Sequence, residues 1–177
     1  MSAKYKYNVA ISFAEEDRNA ALALSLAFEL LGLKKVYYYP DNLETTTGHA
    51  IKEKLQKIYF EEAKCAVALI SENYFDKNKM LAPIEFDAIK KRRESENSHI
   101  YMIPILLTDY PIENDLDLRA FGYLKWNYDP KKIASILMKI LGINKQQIIN
   151  YKGLIGREII AENVQEYFNT KTVINNF

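Results

Sequence analysis

The chain has 177 residues, of which 49% are hydrophobic, and a formal net charge of +1. This length suits one domain, or one domain with an appendage, and the apolar content is enough for a substantial core. The near balance of charges argues against a nucleic-acid partner, because such proteins usually carry a basic excess. The single cysteine, Cys65, excludes a disulfide framework or a cysteine-based zinc site, and we expect it to fill the core.

Targeting and membrane signals are not visible in the sequence. Residues 1–7 contain no apolar run of signal-peptide length. No segment approaches the roughly 20 apolar residues that a spanning helix needs. We therefore expect a soluble, cytoplasmic protein without a membrane partner. The basic run at residues 90–93 is expected to be the solvated end of a helix, where cations meet the negative end of the helix dipole.

Short apolar runs alternate with amphipathic stretches over residues 1–142, which we interpret as one domain. Glycine and capping signals mark the ends of the predicted helices, at Gly32, Asp129-Pro130 and Gly142. The predicted strands lie at residues 7–12, 36–39, 65–70, 100–107 and 123–126. The predicted helices lie at residues 17–31, 51–58, 80–93 and 130–141, with a loop over residues 40–49.

This alternation predicts an α/β fold with three layers. The simplest closure is a five-stranded parallel sheet in the flavodoxin-like order 2-1-3-4-5, with helices on both faces. Ligands of such sheets bind outside the carboxyl ends of the strands, at the point where the strand order reverses. The segments to inspect are therefore residues 12–15, 39–49 and 71–85.

Residues 143–177 differ in composition and form a predicted C-terminal extension. Apolar residues recur at helical spacing over about residues 154–168, which predicts an amphipathic helix. Such a helix either packs on the main domain or serves for self-association or partner docking.

Several families of enzymes are disfavoured by missing motifs. His49 and His99 are far apart and no HExxH or CxxC occurs, so no metal is expected. The serine-hydrolase elbow, the dinucleotide-binding glycine motif and the phosphate-binding Walker loop are also absent. A receiver-type phosphoacceptor would need an aspartate after the third strand, where Ser71 stands.

Glu85 is the carboxylate in the most suggestive position. It lies on the helix after the third strand and is flanked by Leu81, Ala82, Ile84 and Phe86, so it is partly desolvated if it faces inward. Taken alone, a solvated glutamate on an amphipathic helix is the more ordinary interpretation.

Four segments together resemble bacterial TIR domains over about residues 5–141. Residues 7–18 are similar to the first motif, a strand that ends in Ser-Phe before an acidic-Asp-Arg helix start. Residues 68–74 are similar to the third motif, a strand followed by Ser-x-x-Tyr, and residues 103–105 match the fourth strand with its proline. The loop that ends at Gly48 resembles the family's BB loop.

The resemblance implies cleavage of the glycosidic bond of NAD, which is then a substrate and not a cofactor. Glu85 occupies the place of the glutamate that is catalytic in the NAD-cleaving members. Phe13 is expected to stack on the nicotinamide ring, and Arg18 or His49 to meet the pyrophosphate, although Arg18 could equally be solvated. The predicted substrate-binding residues are Ser12, Phe13, Ala14, Arg18, Tyr39, Asp41, Gly48, His49, Ser71, Tyr74 and Leu81.

Two departures from the family pattern stand near this site. Leu81 and Ala82 occupy the places of the family's Trp and Cys, and Tyr39 stands where an aspartate is frequent, with Asp41 two residues later. The resemblance further implies self-association through the loop at residues 40–49, a sensor or effector protein on another chain, and a role in bacterial anti-phage defence. The alternative is a non-catalytic TIR assembly module.

Overall fold

A five-stranded parallel sheet forms the centre of the computed structural model, which describes residues 5–42, 51–76, 78–79, 81–95, 101–111, 118 and 122–143. The strand order is 2-1-3-4-5 and every pairing is parallel, so the predicted fold class is confirmed. The strands are β1 (Val9–Ser12), β2 (Val36–Tyr37), β3 (Ala66–Ile70), β4 (Met102–Leu106) and β5 (Leu124–Lys125).

Helices cover both faces of the sheet. They are α1 (Arg18–Leu30), α2 (Ile51–Lys57), α3 (Leu81–Ser95) and α4 (Pro130–Ile140). Helices α1 and α4 pack together on one face, and α2 and α3 on the other. Strand alternation divides the core accordingly, because Val9 and Ile11 join the α1–α4 side while Ala10 joins the other. None of the helices in the described ranges is long and apolar enough to cross a membrane.

The predicted helix ends are confirmed. Gly32 and Gly142 adopt φ values of +81° and +65°, a left-handed conformation that costs glycine little. After α1, the N–H of Leu33 donates to the carbonyl of Phe28 at 2.9 Å, which satisfies a carbonyl at the helix end. At the start of α4, the Asp129 side chain accepts a hydrogen bond from the N–H of Lys132.

The second strand is shorter than predicted. It ends at Tyr37, and Tyr39–Asn42 form a 3-10 turn in which the N–H of Asp41 donates to the carbonyl of Tyr38. Pro40 explains the early end, because its fixed φ suits a turn and its nitrogen cannot donate to a neighbouring strand. The first strand begins only at Val9. A π-helical turn, Ile58–Glu62, continues α2.

The interpretation of residues 90–93 as a solvated helix end was wrong for one residue. Helix α3 continues to Ser95, and Arg92 is 1% exposed. Its guanidinium donates to the carbonyl of Ala63 and lies over the ring of Tyr101 at 4.0 Å. The predicted extension beyond residue 143 lies outside the described residues and stays a prediction. Cys65 is fully buried, as predicted.

Candidate active site

Glu85 lies on α3 with its side chain buried, at 4% exposure. Strands β1 and β3 are neighbours, and Ser12 at the end of β1 pairs in register with Ala68. The carboxyl end of β1 therefore meets the segment that follows β3, which carries Tyr74. This topology brings together Ser12, Tyr74 and Glu85, three residues that the sequence singled out.

A hydroxyl of Ser12 is at the centre of this cluster. Ser12 Oγ donates to Glu85 Oε2 at 2.6 Å and lies 2.6 Å from Tyr74 Oη. Because the single Ser12 proton goes to Glu85, the Tyr74 hydroxyl must donate to Ser12. The backbone N–H of Phe13 and the Tyr59 hydroxyl are also near enough to the carboxyl group to lower its pKa. Glu85 is thus held on several sides.

Burial controls the charge of Glu85. Removal from water raises its pKa from 4.5 to about 8, because the charged form is the one that loses solvation. Hydrogen bonds from Ser12, Tyr59 and the Phe13 backbone oppose this rise without cancelling it. Burial, and secondarily the Glu85 charge, raises the pKa of Tyr74. A carboxyl group that titrates near neutral pH is typical of functional sites.

A second polar cluster anchors the turn that carries Tyr74. Ser71 Oγ donates to Asp17 Oδ2 at 2.6 Å, and the Tyr74 N–H donates to the Ser71 carbonyl at 3.1 Å. Burial raises the pKa of Asp17, and the Ser71 hydrogen bond opposes the rise. Lys79 and Glu16 form an ion pair beside it. Ser71 therefore lies at this edge of the sheet and contacts Asp17 at the start of α1.

Phe13 and Ala14 follow β1 and are buried. Phe13 is 9% exposed and stacks on Tyr38, with ring centroids 5.6 Å apart and an interplanar angle of 24°. One face of the Phe13 ring is therefore already covered. Ala14 is 2% exposed, so its backbone is its main means of contact.

The other predicted substrate-binding residues are spread around this edge. Arg18 forms an ion pair with Glu15 at 2.7 Å, and both side chains are about half exposed. Asp41 is exposed, whereas Tyr39 and Leu81 are half-buried against the α2–α3 side of the core. Gly48 and His49 lie outside the described residues.

Two tyrosines near Glu85 were missed in the sequence. Tyr59, on the π-helical turn, is fully buried and donates to the carbonyl of Ile11 at 2.8 Å. Tyr37, on β2, is fully buried, and its hydroxyl has no hydrogen-bond partner among the described residues. A buried tyrosine usually needs a hydrogen-bond partner for its hydroxyl. A tyrosine in a predicted buried element was therefore the sequence signal that could have pointed to these two residues.

A separate open cavity of about 580 Å³ lies between α2 and α3. Phe60, 38% exposed, is its largest apolar lining residue, and charged residues surround it. Glu85 does not line this cavity. Within the described ranges, no group of three or more His, Cys, Asp or Glu side chains is placed to hold a metal ion.

The family assignment agrees with this fold. The family model described as TIR domain matches residues 9–137, which is more than half of the 177 residues. The matched range contains all five strands and every residue of the Glu85 cluster. No individual curated protein gives a match. With its parallel sheet in the order 2-1-3-4-5 and this match, the chain belongs to the TIR domain family.

Proposed function

We propose that the chain cleaves the glycosidic bond between nicotinamide and ribose in NAD, with Glu85 as the catalytic residue. The observation that carries the proposal is a buried glutamate, hydrogen-bonded by Ser12, at the carboxyl edge of the sheet of a TIR domain. The sequence resemblance assigns the catalytic glutamate of NAD-cleaving members to this position. A desolvated carboxyl group at a strand-end site fits that role.

The chemistry needs one negative charge and no general acid. The bond between the ribose C1′ and the nicotinamide nitrogen breaks, its electron pair stays on the nitrogen, and a cationic ring leaves as neutral nicotinamide. Positive charge then develops on the ribose, where a nearby carboxylate stabilises it. In hydrolysis, the oxygen of water bonds to C1′ and a proton passes to solvent. The paired carboxylates of many glycosidases are therefore not required.

Access to Glu85 requires a rearrangement, because only 4% of the side chain is exposed. We propose that self-association through residues 40–49 provides it, as the resemblance to bacterial TIR domains implies. The trigger would be a sensor or effector on another chain, in an anti-phage defence that depletes NAD. Attack by water gives ADP-ribose, and attack by the adenine of the same molecule gives a cyclic product.

The alternative function is a non-catalytic TIR assembly module. The burial of Glu85 favours it, and so does the presence of Leu81 and Ala82 at the positions of the family's Trp and Cys. In this function, residues 40–49 form a contact surface and Glu85 is a structural residue. Light scattering would then detect assembly that depends on this loop, without turnover of NAD.

Release of nicotinamide from NAD by the purified, concentrated protein tests the proposal. We expect turnover in the wild type and a loss of about 100-fold or more in Glu85→Gln and Glu85→Ala, the magnitude typical of a lost transition-state charge. Glu94→Gln is the matched control, because Glu94 is exposed on the same helix. Turnover that survives in both Glu85 variants would exclude Glu85 as the catalytic residue. Assembled wild-type protein without turnover would favour the assembly module.

A further inference from the structure

Asp17 stands at the N-terminus of helix α1 but does not cap it. It occupies the N-cap position, where an aspartate side chain usually accepts a hydrogen bond from a backbone N–H of the first turn. Among the described residues of α1, no N–H makes this bond. The Asp17 carboxyl group instead accepts from Ser71, with 2.6 Å between Ser71 Oγ and Asp17 Oδ2, across 54 residues of sequence. Helix capping therefore does not explain the position of this side chain.

The Ser71 hydroxyl is used both as a donor and as an acceptor. It donates to Asp17 and accepts from the N–H of Asn73 at 3.2 Å. The carbonyl of Ser71 accepts from the N–H of Tyr74 at 3.1 Å, which closes the turn over residues 71–74. Ser71 is 1% exposed, so the contact that joins this turn to the start of α1 is largely shielded from water.

The same turn reaches the candidate active site through Tyr74. The Tyr74 side chain extends from the turn to Ser12, where the two hydroxyl oxygens are 2.6 Å apart, and Ser12 donates to Glu85 at 2.6 Å. The segment from Ser12 to Asp17 is therefore held by this turn at both of its ends. A contact that fixes the turn at Asp17 also fixes the position of the Tyr74 hydroxyl.

We propose that Asp17 is a positioning residue of the candidate active site: it accepts from Ser71 and thereby holds the turn closed, with the Tyr74 hydroxyl against Ser12. Asp17 acts through the turn and is not itself a catalytic residue. The turn moves away from Ser12 when Glu85 becomes accessible, and the hydrogen bond between Asp17 and Ser71 opposes this movement.

A second contact joins the same two segments, but it lies at the surface. Glu16 and Lys79 form an ion pair in which the side chains are 42% and 33% exposed. Such pairs contribute little to stability, because water and salt screen the charges. Burial is the largest cause of the raised pKa of Asp17, so its carboxyl group is better shielded. The contact between Asp17 and Ser71 is therefore the stronger of the two that hold the turn.

The consequence for catalysis rests on the proposed function, whereas the role of Asp17 in the resting protein does not. Glu85 is 4% exposed at rest, so NAD binds only to the small fraction of protein in which the turn is open. Loss of one buried hydrogen bond raises this fraction about tenfold. We expect KM to fall by a similar factor in Asp17→Ala, while kcat, which depends on Glu85 itself, stays unchanged.

Titration of Glu85 without NAD provides the test. The carboxyl carbon of Glu85 is followed by NMR in protein labelled with ¹³C-glutamate, and Glu85→Gln identifies its signal. Burial is the largest cause of the raised Glu85 pKa, so a turn that opens more often should lower that pKa. We expect a fall of about one pH unit in Asp17→Ala and in Ser71→Ala, which corresponds to a tenfold larger open fraction. The double variant should show no further fall, because both changes remove the same contact.

Asp17→Asn is the matched control, because asparagine loses the charge while its side-chain carbonyl can still accept from Ser71. We expect the Glu85 pKa of this variant to match the wild type. Glu16→Gln should also match it, since this change removes only the surface ion pair. Ser71→Ala alters no charge and keeps the backbone of the turn, so it provides the test even if Asp17→Ala does not fold.

An unchanged Glu85 pKa in Ser71→Ala would overturn the proposal. An equal fall in Asp17→Ala and Asp17→Asn would also overturn it, because the charge and not the hydrogen bond would then be responsible. If the pKa falls as expected but no nicotinamide is released from NAD, the proposed function fails while the role of Asp17 stands. If the wild type releases nicotinamide but Asp17→Ala changes neither KM nor the Glu85 pKa, the proposed function stands and the role of Asp17 fails.

Discussion

Replacement of Glu85 by glutamine should remove a pH-dependent loss of stability. Burial raises the pKa of Glu85 in the folded protein from 4.5 to about 8. Between these two values the unfolded chain releases the Glu85 proton and the folded protein keeps it. Ionisation then favours the unfolded state, so the free energy of unfolding falls as the pH rises through this window. Glutamine has a similar shape, cannot ionise, and can still accept from Ser12.

The size of the effect follows from the two pKa values. Each pH unit between them corresponds to about 1.36 kcal/mol, so the window from 4.5 to about 8 sets an upper limit of about 5 kcal/mol. The stabilising contribution of neutral Glu85 is fully present below about pH 4.5 and is lost by about pH 8. A loss of this size is a large part of the stability of a domain, which is commonly about 5–15 kcal/mol.

Urea unfolding at a series of pH values measures this difference. We expect the stability of Glu85→Gln relative to wild type to increase by about 3–5 kcal/mol between pH 5 and pH 8. The comparison between the two proteins cancels the other titrating groups that they share. Glu94→Gln should follow the wild type, since Glu94 is exposed. Parallel pH profiles of Glu85→Gln and wild type would refute the assignment of a strongly raised pKa to Glu85.

Three further predictions concern residues outside the catalytic proposal. Tyr37→Phe should raise the free energy of unfolding by about 1 kcal/mol in urea, because the Tyr37 hydroxyl is buried without a partner among the described residues; a loss of stability would contradict this. Asp129→Ala should lower the free energy of unfolding by about 1 kcal/mol, because the cap to the Lys132 N–H is lost. Asp129→Asn should retain most of the wild-type stability, because asparagine is also a good cap. The Cys65 thiol, buried and with its pKa raised to about 12, should react with a thiol reagent only in unfolded protein; rapid reaction of native protein would contradict its burial.

The strands and helices were predictable because their signals are local. Continuous apolar runs indicated β3 and β4, whose residues are all buried, and capping signals located the ends of α1 and α4. The end of β2 was harder to place, because Tyr37, Tyr38 and Tyr39 all favour strands by type. The turn geometry at Pro40, and not residue preference, ends that strand.

The Glu85 cluster was only partly predictable because its contacts join distant parts of the chain. Ser12 is separated by 62 residues from Tyr74 and by 73 residues from Glu85. The order of the strands predicted a common edge for these residues, but no local pattern specifies which hydroxyl meets which carboxylate. The polar role of the Tyr59 hydroxyl was missed because Tyr59 follows Leu55 by four residues, which fits the apolar face of a helix. An aromatic residue on such a face is expected to pack in the core.

Access to Glu85 and the charge of Glu85 depend on the same turn. Tyr74 packs edge-on against Phe75 and Phe86, with ring centroids 5.0 and 6.0 Å apart, and its hydroxyl lies 2.6 Å from the Ser12 hydroxyl that donates to Glu85. A movement of the turn that carries Tyr74 and Phe75 would break the hydrogen bond from Tyr74 to Ser12 and also hydrate Glu85. Hydration removes the cause of the raised pKa, so an exposed Glu85 becomes a carboxylate near neutral pH. Such a conformation would therefore both open Glu85 to a substrate and give it a negative charge near neutral pH.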